Sequence, residues 1–223
     1  MKGRRRAREL ALQALYELDQ SSHALDDVLA TRVEGYYQSI ADSAASGDLR
    51  STMLYLLAER DFRRESPSPW AVLATDKDLA AALSLAPELL AEGLTLFQRH
   101  GALVEYGVAV VRGVLGGLVA IDKIIRAIAP EWPVAQMAPV DRNLLRIALW
   151  EIGSQAVPVR VAINEAVELA RRYSGESARR MVNGALGSFA KHPDTLKLEP
   201  YRSIPALEED DLPANDHEPD ELG

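Results

Sequence analysis

The feature that most constrains the fold is a long apolar periodicity over residues 103–128, LVEYGVAVVRGVLGGLVAIDKIIRAI. Apolar side chains recur in it three or four residues apart, as on one face of an α-helix. They are Val104, Val108, Val111, Leu115, Leu118, Ile121, Ile125 and Ile128. Glu105, Arg112 and Asp122 interrupt the run before it reaches the roughly 18 uncharged residues of a membrane span. We therefore predict a buried central helix, which the glycines of GVLGG allow another helix to approach closely.

Helical spacing recurs along most of the chain, and no segment alternates with period two as a half-buried strand would. Residues 4–19 and 24–41 predict two helices before the apolar run. Three more are predicted after it, in DRNLLRIALWEI, PVRVAINEAVELARRY and ARRMVNGALGSFA, introduced by prolines or by an SGES cap. Their predicted core stripes are Leu144, Leu145, Ala148 and Ile152, then Val159, Ile163, Ala166 and Ala170, then Val182, Ala185, Leu186 and Phe189. The predicted fold class is all-α.

Two segments fall outside this helical pattern. Residues 43–92 contain ESPSPW and other helix-breaking residues, so we predict an insertion of one or two short helices and a surface loop. After His192, five prolines stand among acidic side chains, which predicts a disordered tail over residues 193–223. The predicted folded domain is residues 1–192.

Charge is distributed unevenly along the chain. The net charge is −8, and residues 206–223 hold eight acidic side chains with no lysine or arginine, so the remaining residues sum to zero. Within that neutral body, five basic side chains crowd the first eight residues: Lys2, Arg4, Arg5, Arg6 and Arg8. Such a local asymmetry attracts polyanions despite the acidic composition of the whole.

The first helix is predicted to have two faces. A stripe of Ala7, Leu10, Ala11, Ala14, Leu15 and Leu18 should face the core, because residues 100° apart bring these side chains together. Leu12 and Tyr16 fall on the opposite side, in line with Arg5 and Glu9. An arginine that displaces counterions, with an exposed ring on which a base can stack, is the composition of a single-stranded RNA surface. A merely solubilising helix start is the alternative.

The chemistry of catalysis and metal binding is not apparent in the sequence. There is no cysteine, and the four histidines have no carboxylate or second histidine at ligand spacing. We expect Glu165 and Glu168 to lie on the solvent-exposed face of their helix. The segment GVLGG lacks the lysine and the hydroxyl side chain of a phosphate-binding loop. We predict no catalytic residue, no metal and no cofactor. Because no apolar stretch follows the basic start, the expected location is cytoplasmic.

Five segments together resemble the NusB family of transcription antitermination factors. They are RRRARELALQALYELD, IDKIIRAIAPEWP, MAPVDRNLLRIALWEI, VPVRVAINEAVELARRYSG and RRMVNGALGSFA, and the resemblance covers about residues 3–42 and 93–191 in order. It implies a compact bundle of about seven helices in two subdomains, with no catalytic activity.

The resemblance also implies partners and contact residues. Members of the family bind the boxA element of nascent ribosomal RNA transcripts together with NusE, a small-subunit ribosomal protein, and join NusA and NusG on RNA polymerase. The RNA surface that it implies comprises Arg4, Arg5, Arg6, Arg8, Tyr16, Asp141, Arg142, Arg146, Arg179, Arg180 and Met181. The NusE surface would lie around residues 113–123 and 141–151. The family includes monomers and dimers, so a homodimer stays open.

This chain departs from the family pattern in several places. Ser177 and Met181 stand where an acidic residue and an aromatic are common, so one expected stacking ring is replaced by a thioether. The insertion and the acidic tail are additional, and the tail could compete for the basic start or could only solubilise the protein. Two alternatives remain: a helical accessory domain like the front part of some RNA cytosine methyltransferases, and an adaptor that binds only proteins.

Overall fold

The computed structural model describes residues 2–42 and 87–201, with side chains over residues 3–42 and 100–201. Residues 43–86 of the predicted insertion at 43–92, and the tail from residue 202, lie outside the described residues. The described ranges contain seven α-helices, two short 3-10 turns and no strand, which confirms the all-α prediction. The helices are α1 Lys2–Gln20, α2 Leu25–Asp42, α3 Pro87–Gly116, α4 Leu118–Ile128, α5 Pro139–Gly153, α6 Val159–Tyr173 and α7 Glu176–Phe189. The 3-10 turns are Val134–Gln136 and Pro193–Thr195.

The helices pack as two groups around α5. The first group is α1, α2 and α3, which pack on one another, and the second is α4 to α7. Helix α5 contacts α1 and α3 as well as its own group, and every residue from Asn143 to Gly153 is buried. These groups match the two subdomains that the resemblance implies, but α5, not the apolar run, is the helix buried on all sides.

The apolar run of residues 103–128 is divided between two helices. The break falls at Gly117, which separates the end of α3 from the start of α4. Gly113 is the glycine that permits close packing, because a Cβ there would lie 1.9 Å from Trp150 Nε1 of α5. Gly116 has nothing within 4 Å of such a Cβ. The prediction of a close approach is confirmed at Gly113, while the prediction of one continuous helix is wrong.

The predicted core stripes are confirmed in α1, α5 and α7, whose stripe residues are buried or packed on the core. Leu12 was expected on the solvent face, but it belongs to the core because α5 runs along this side of α1, with hydrogen bonds between Arg8 and Glu151 and between Asn143 and Asp19 on either side of Leu12. The expected α6 stripe also lies in or against the core, with Ala166 and Ala170 buried and Val159 and Ile163 packed on it, but the buried face extends further, to Ala162, Glu165 and Leu169. The expectation that Glu165 faces water is therefore wrong.

Several helix ends differ from the predicted ones. Helix α3 begins at Pro87, inside the predicted insertion, with proline at a first-turn position where its missing N–H costs no hydrogen bond. The N-cap of α7 is Gly175 and makes no side-chain cap bond, so SGES does not cap the helix through a serine. The hydroxyl of Ser174 instead donates to Asp141 Oδ1 at 2.6 Å.

Residues 193–201 pack on the helices instead of beginning a disordered tail. Leu196 is buried, and the backbone N–H of Leu198 donates to the Gly153 carbonyl at 3.1 Å. The N–H of Tyr201 donates to the Ser154 carbonyl at 2.9 Å. The ordered body therefore extends past the predicted boundary at residue 192, because α5 offers both apolar contacts and free C-terminal carbonyls. Among the described residues, no helix combines the length and apolarity needed to cross a bilayer.

Candidate nucleic-acid interface

Arg8 lies in the interior, although it belongs to the basic run at the chain start. Only 2% of Arg8 is exposed, and its Nε donates to Oε1 of Glu151, itself 1% exposed, at 2.7 Å. Its Nη1 donates to Glu165 Oε2 at 3.4 Å, while Nη2 is buried without a hydrogen-bond partner. Arg8 is thus enclosed by acids from α5 and α6. Its expected place on the RNA surface does not hold in this fold, because the guanidinium is not presented to a ligand.

Arg5 also binds the carboxylate of Glu165. Its Nε and Nη2 donate to the two oxygens of Glu165 at 3.1 and 3.0 Å, in a bidentate pair. The hydrogen bond to Glu165 raises the pKa of Arg5 above its ordinary value, although partial burial acts in the opposite direction. Arg5 therefore stabilises the junction of α1 and α6, and its charge is already matched within the protein.

Aromatic rings pack against Arg8 and Glu151 on the side of α3. The Tyr106 hydroxyl donates to Glu151, and the guanidinium carbons of Arg4 and Arg8 lie 5.4 and 6.0 Å from the centroid of the Tyr106 ring. Trp150 and Tyr201 pack edge-on against Tyr106, with centroids at 6.5 and 5.5 Å. Burial raises the pKa of the Glu151 carboxyl, against the opposing effect of Arg8. We call Arg5, Arg8, Tyr106, Glu151 and Glu165 the buried arginine network.

A second ionic cluster lies at the other end of α1, around Asp19. Arg142 Nη2 and Asn143 Nδ2 donate to Asp19 Oδ2 at 3.0 and 2.9 Å. Arg146 donates through Nε and Nη2 to both oxygens of Asp122 at 2.9 Å, and through Nη1 to Asp19. These bonds join α1, α4 and α5. The expected RNA residues Arg142 and Arg146 therefore have packing partners, and Arg146 is buried.

The two ionic clusters do not merge into one basic surface. Arg5 and Asp19 are separated by about 21 Å along α1, at 1.5 Å per residue. Tyr16 is 44% exposed but lies about 16 Å along the helix from Arg5, with buried Leu12 between them. Arg5 and Tyr16 share a side of α1, as predicted from helical phase, without forming one adjacent pair.

Arg6 is the exposed arginine of the basic run, and it faces α2. It borders an open groove of 360 Å³ between α1 and α2, which is also lined by Glu9, Gln13, Arg32 and Tyr36. Arg6 forms no ion pair with any side chain that the structure describes. Arg32, by contrast, donates to Glu17 at 3.1 Å. Arg6 thus keeps a charge that could meet a phosphate.

The end of α6 brings further arginines and an exposed ring to the first half of α1. Arg172 donates to Glu9 at 2.9 Å, and its guanidinium carbon lies 5.4 Å from the centroid of the Tyr173 ring. Tyr173 is 39% exposed. Its pKa is raised by partial burial and by Glu9. A ring of this exposure beside an arginine is a platform on which an unstacked base could rest.

The start of α7 adds the last expected RNA residues. Arg179 is paired with Glu176 at 2.9 Å, whereas exposed Arg180 has no ion pair among the described residues. The start of α7 packs on α6, the helix that carries Glu168, and the nearby Glu168 carboxylate contributes to raising the pKa of both Arg5 and Arg179. Met181 is half-buried against the core. We define the outer basic surface as Arg4, Arg6, Arg172, Tyr173 and Arg180.

Sequence reasoning missed three residues of this region. Glu151 and Glu165 were missed because helical phase cannot show that a carboxylate on an apolar face meets an arginine from a distant helix. Tyr173 was missed as a site residue although it stands in the quoted segment VPVRVAINEAVELARRYSG. An aromatic after two arginines at a helix end was the available signal. The described residues contain no group of three or more acidic or histidine side chains that could hold a metal ion.

Several known proteins that are similar to this chain share one name. Residues 71–191 match the sequence model of the NusB family. The transcription antitermination protein NusB of Dehalococcoides mccartyi (strain ATCC BAA-2266 / KCTC 15142 / 195) is 32% identical over 196 residues, which cover 87% of this chain and 94% of that protein. That of Desulforudis audaxviator is 39% identical over 110 residues, covering 49% of this chain and 80% of that protein. A solved structure of T. maritima NusB aligns with 85% of this chain and 91% of its own, at 21% identity and a TM-score of 0.46.

Proposed function

Because this chain belongs to the NusB family of transcription antitermination proteins, we propose that it binds boxA-type RNA of nascent ribosomal RNA transcripts. In this role it acts with NusE, and with NusA, NusG and RNA polymerase in a larger complex. The role is non-catalytic, in keeping with the names of its relatives, and its place is the cytoplasm, where transcripts emerge. We place the NusE contact around residues 113–123, where Val119 is 84% exposed, because residues 143–151 of the other expected region, 141–151, are buried in this fold.

The observation that carries the proposal is the junction of α1 with the end of α6, where an arginine and an exposed ring lie together. The Arg172–Glu9 hydrogen bond of 2.9 Å joins the last turn of α6 to the first half of α1, Tyr173 is exposed beside it, and α7 packs on α6. Arg6 and Arg180, which form no ion pair among the described residues, gain counterion-release free energy from a phosphate chain, while Tyr173 offers a face for stacking. Single-stranded RNA supplies both phosphates and unstacked bases.

The proposal is best tested at residues whose substitution affects RNA binding without lowering stability. Arg5→Ala would remove one partner of Glu165, which is 5% exposed, and would lower stability as well as affinity. Arg180→Ala and Tyr173→Ala remove exposed side chains instead. A matched control is Arg126→Ala, since Arg126 is an exposed arginine on α4, a helix outside the group that surrounds α1.

The experiment is a fluorescence titration of boxA-like RNA and of a scrambled RNA, with and without NusE. Tyr173→Ala should weaken binding about fivefold to a hundredfold, since loss of one stacked base costs about 1–3 kcal/mol. Arg180→Ala should weaken binding to all sequences alike and reduce the salt slope by about 1. Arg126→Ala should change neither. Affinity that ignores RNA sequence, gains nothing from NusE and is unaffected by these variants would contradict the proposal.

A further inference from the structure

The groove between α1 and α2 has the size of a small-ligand site. Its volume is 360 Å³, and small-molecule sites in proteins usually measure about 300–1,000 Å³. One face of each helix contributes to its lining. The buried members of this lining, Leu10 and Tyr36, give the groove an apolar floor, while exposed polar side chains such as Gln13 and Thr31 form its rim.

Gly35 also lines the groove, and the fold itself does not require a glycine there. It lies near the middle of α2, where glycine weakens a helix relative to alanine. No described glycine has a positive φ, and a Cβ at Gly35 would meet nothing within 4 Å among the described residues. Neither backbone conformation nor helix packing therefore explains it. A glycine facing a groove lets a ligand approach the backbone closely.

Arg6 gives the groove a charge that no described side chain neutralises. The second cation of the lining, Arg32, donates to Glu17 at 3.1 Å, and the carboxylate of Glu9 accepts from Arg172 at 2.9 Å. Arg6 itself is exposed and forms neither an ion pair nor a hydrogen bond with the residues that the structure describes. The groove is thus suited to an anion.

Tyr36 gives the floor an aromatic ring that is held in place. Its hydroxyl is hydrogen-bonded to Nδ1 of His100 on α3 at 2.9 Å, and its ring packs edge-on against Tyr37 and His100, with centroids at 5.6 and 5.7 Å. Burial raises the pKa of Tyr36 to about 12, and the positive charge of Arg6 acts in the opposite direction. The cation and the ring therefore lie close enough to contact one molecule.

A nucleotide combines the groups that this lining can bind. Its phosphate is an anion for Arg6, its base has an apolar face for Tyr36, and its sugar and base edges carry hydrogen-bonding groups. Gln13 and Thr31 have side chains of the complementary kind, and these make no hydrogen bond within the described part of the chain. An inorganic anion would use only the first of these contacts.

We propose that the groove between α1 and α2 binds one nucleotide of the RNA strand, with Arg6 on its phosphate and Gln13 or Thr31 on its sugar or base edge. The groove adjoins the outer basic surface, because Glu9 lines it and accepts the hydrogen bond from Arg172. A strand bound at that surface can therefore continue along α1 into the groove. The RNA strand as the source of the nucleotide rests on the proposed function, whereas binding of a nucleotide in the groove does not.

Nucleotide binding is tested without boxA-like RNA. Adenosine 5′-monophosphate is titrated into the isotope-labelled full-length protein, with adenosine and inorganic phosphate as partial probes. The backbone amide signal of Gly35 and the side-chain amide signals of Gln13 should shift with the monophosphate. Affinity for either partial probe should be about threefold to tenfold weaker, since each lacks part of the hydrogen bonding. Unshifted signals, or equal affinity for inorganic phosphate, would overturn the proposal.

Gly35→Gln blocks the groove without removing a charge. Its side chain enters open space, and melting temperature should stay equal or rise because glutamine favours the helix over glycine. The matched control is Gly187→Gln, at an exposed glycine of α7 where a Cβ also meets nothing within 4 Å among the described residues. Relative to this control, Gly35→Gln should bind the monophosphate and boxA-like RNA about threefold to tenfold more weakly. Gln13→Ala, which removes a donor and adds nothing, should weaken both in the same direction.

The outcomes separate the groove from the proposed function. Weaker binding of both ligands by Gly35→Gln would support the proposal. Weaker monophosphate binding with unchanged RNA affinity would overturn the RNA strand as the occupant. Monophosphate binding without RNA binding by any variant would reject the proposed function and support nucleotide binding in the groove. Equal binding of both ligands by Gly35→Gln and Gly187→Gln would overturn the groove as a binding site.

Discussion

Arg6 and Arg8 stand two residues apart in the same basic run, yet they lie in opposite environments. Arg8 is 2% exposed and is held by carboxylates from two other helices. Arg6 is exposed at the rim of the groove between α1 and α2, with no ion pair among the described residues. The buried arginine network and the outer basic surface are thus built from neighbouring residues of one helix.

This difference shows that an arginine contributes differently to stability in the interior and at the surface. In the interior, removing one partner of an ion pair leaves a charge without water or counter-ion, which is costly. At the surface, water replaces a lost partner, so the pair contributes little to stability. We expect the buried arginine network to determine whether the bundle holds together, and the outer basic surface to determine what it binds.

The largest expected effect is that of Arg8→Ala. It leaves Glu151 buried with the Tyr106 hydroxyl as its remaining donor, and it should lower the free energy of unfolding by about 3–5 kcal/mol. The measurement is urea unfolding followed by circular dichroism, with Arg6→Ala as the control from the same run. Arg6→Ala should change stability by no more than about 0.5 kcal/mol. Similar losses in both variants would remove the distinction between the two regions.

The next effect concerns two glycines in the last turn of α3, Gly113 packed against α5 and Gly116 in open space. Gly113→Ala places a Cβ against the Trp150 indole and should destabilise the protein by about 1–3 kcal/mol, because α5 is packed on all sides and the ring must shift. Gly116→Ala meets nothing within 4 Å and should be neutral or slightly stabilising, since alanine favours the helix. Thermal unfolding of the two variants would show the contrast, and equal melting temperatures would mean that the interior yields more easily than we infer.

The smallest effect belongs to an outer ion pair, that of Glu17 with His23 and Arg32. Hydrogen bonds first from His23 and then from Arg32 lower the pKa of Glu17 below its ordinary value of 4.5. The stabilisation is therefore present above pH 4.5 and is lost as the pH falls through the lowered value of the folded state.

We accordingly expect Glu17→Gln to cost about 0.5 kcal/mol at pH 7 and nothing measurable once Glu17 is protonated. Urea titrations at several pH values compare the variant with the parent chain. A cost that persists unchanged under acid conditions would show that Glu17 acts through packing instead of charge.

Much of the fold was predictable because helices have a fixed period. The stripe from Ala7 to Leu18 and those of α5 and α7 were read from spacing alone, since burial of one face requires apolar residues at that spacing. The break at Gly117 was not predictable, because its apolar neighbours continue the pattern on both sides. The packing of Leu196 and Tyr201 was not predictable either. The prolines and acids around them are typical of a disordered tail, and their contacts depend on the position of the end of α5.

The candidate site was less predictable than the fold. The sequence by itself determined that the chain is helical, that positive charge collects at its start and negative charge at its end, and that it resembles the NusB family. Only the tertiary structure decided that Glu151 and Glu165 enclose Arg8, that Arg6 stays outside, and that Tyr173 stands beside Arg172. Periodicity specifies the side of a helix from its own neighbours, whereas the partner of a charge depends on which helix, often more than a hundred residues away, is packed against that side.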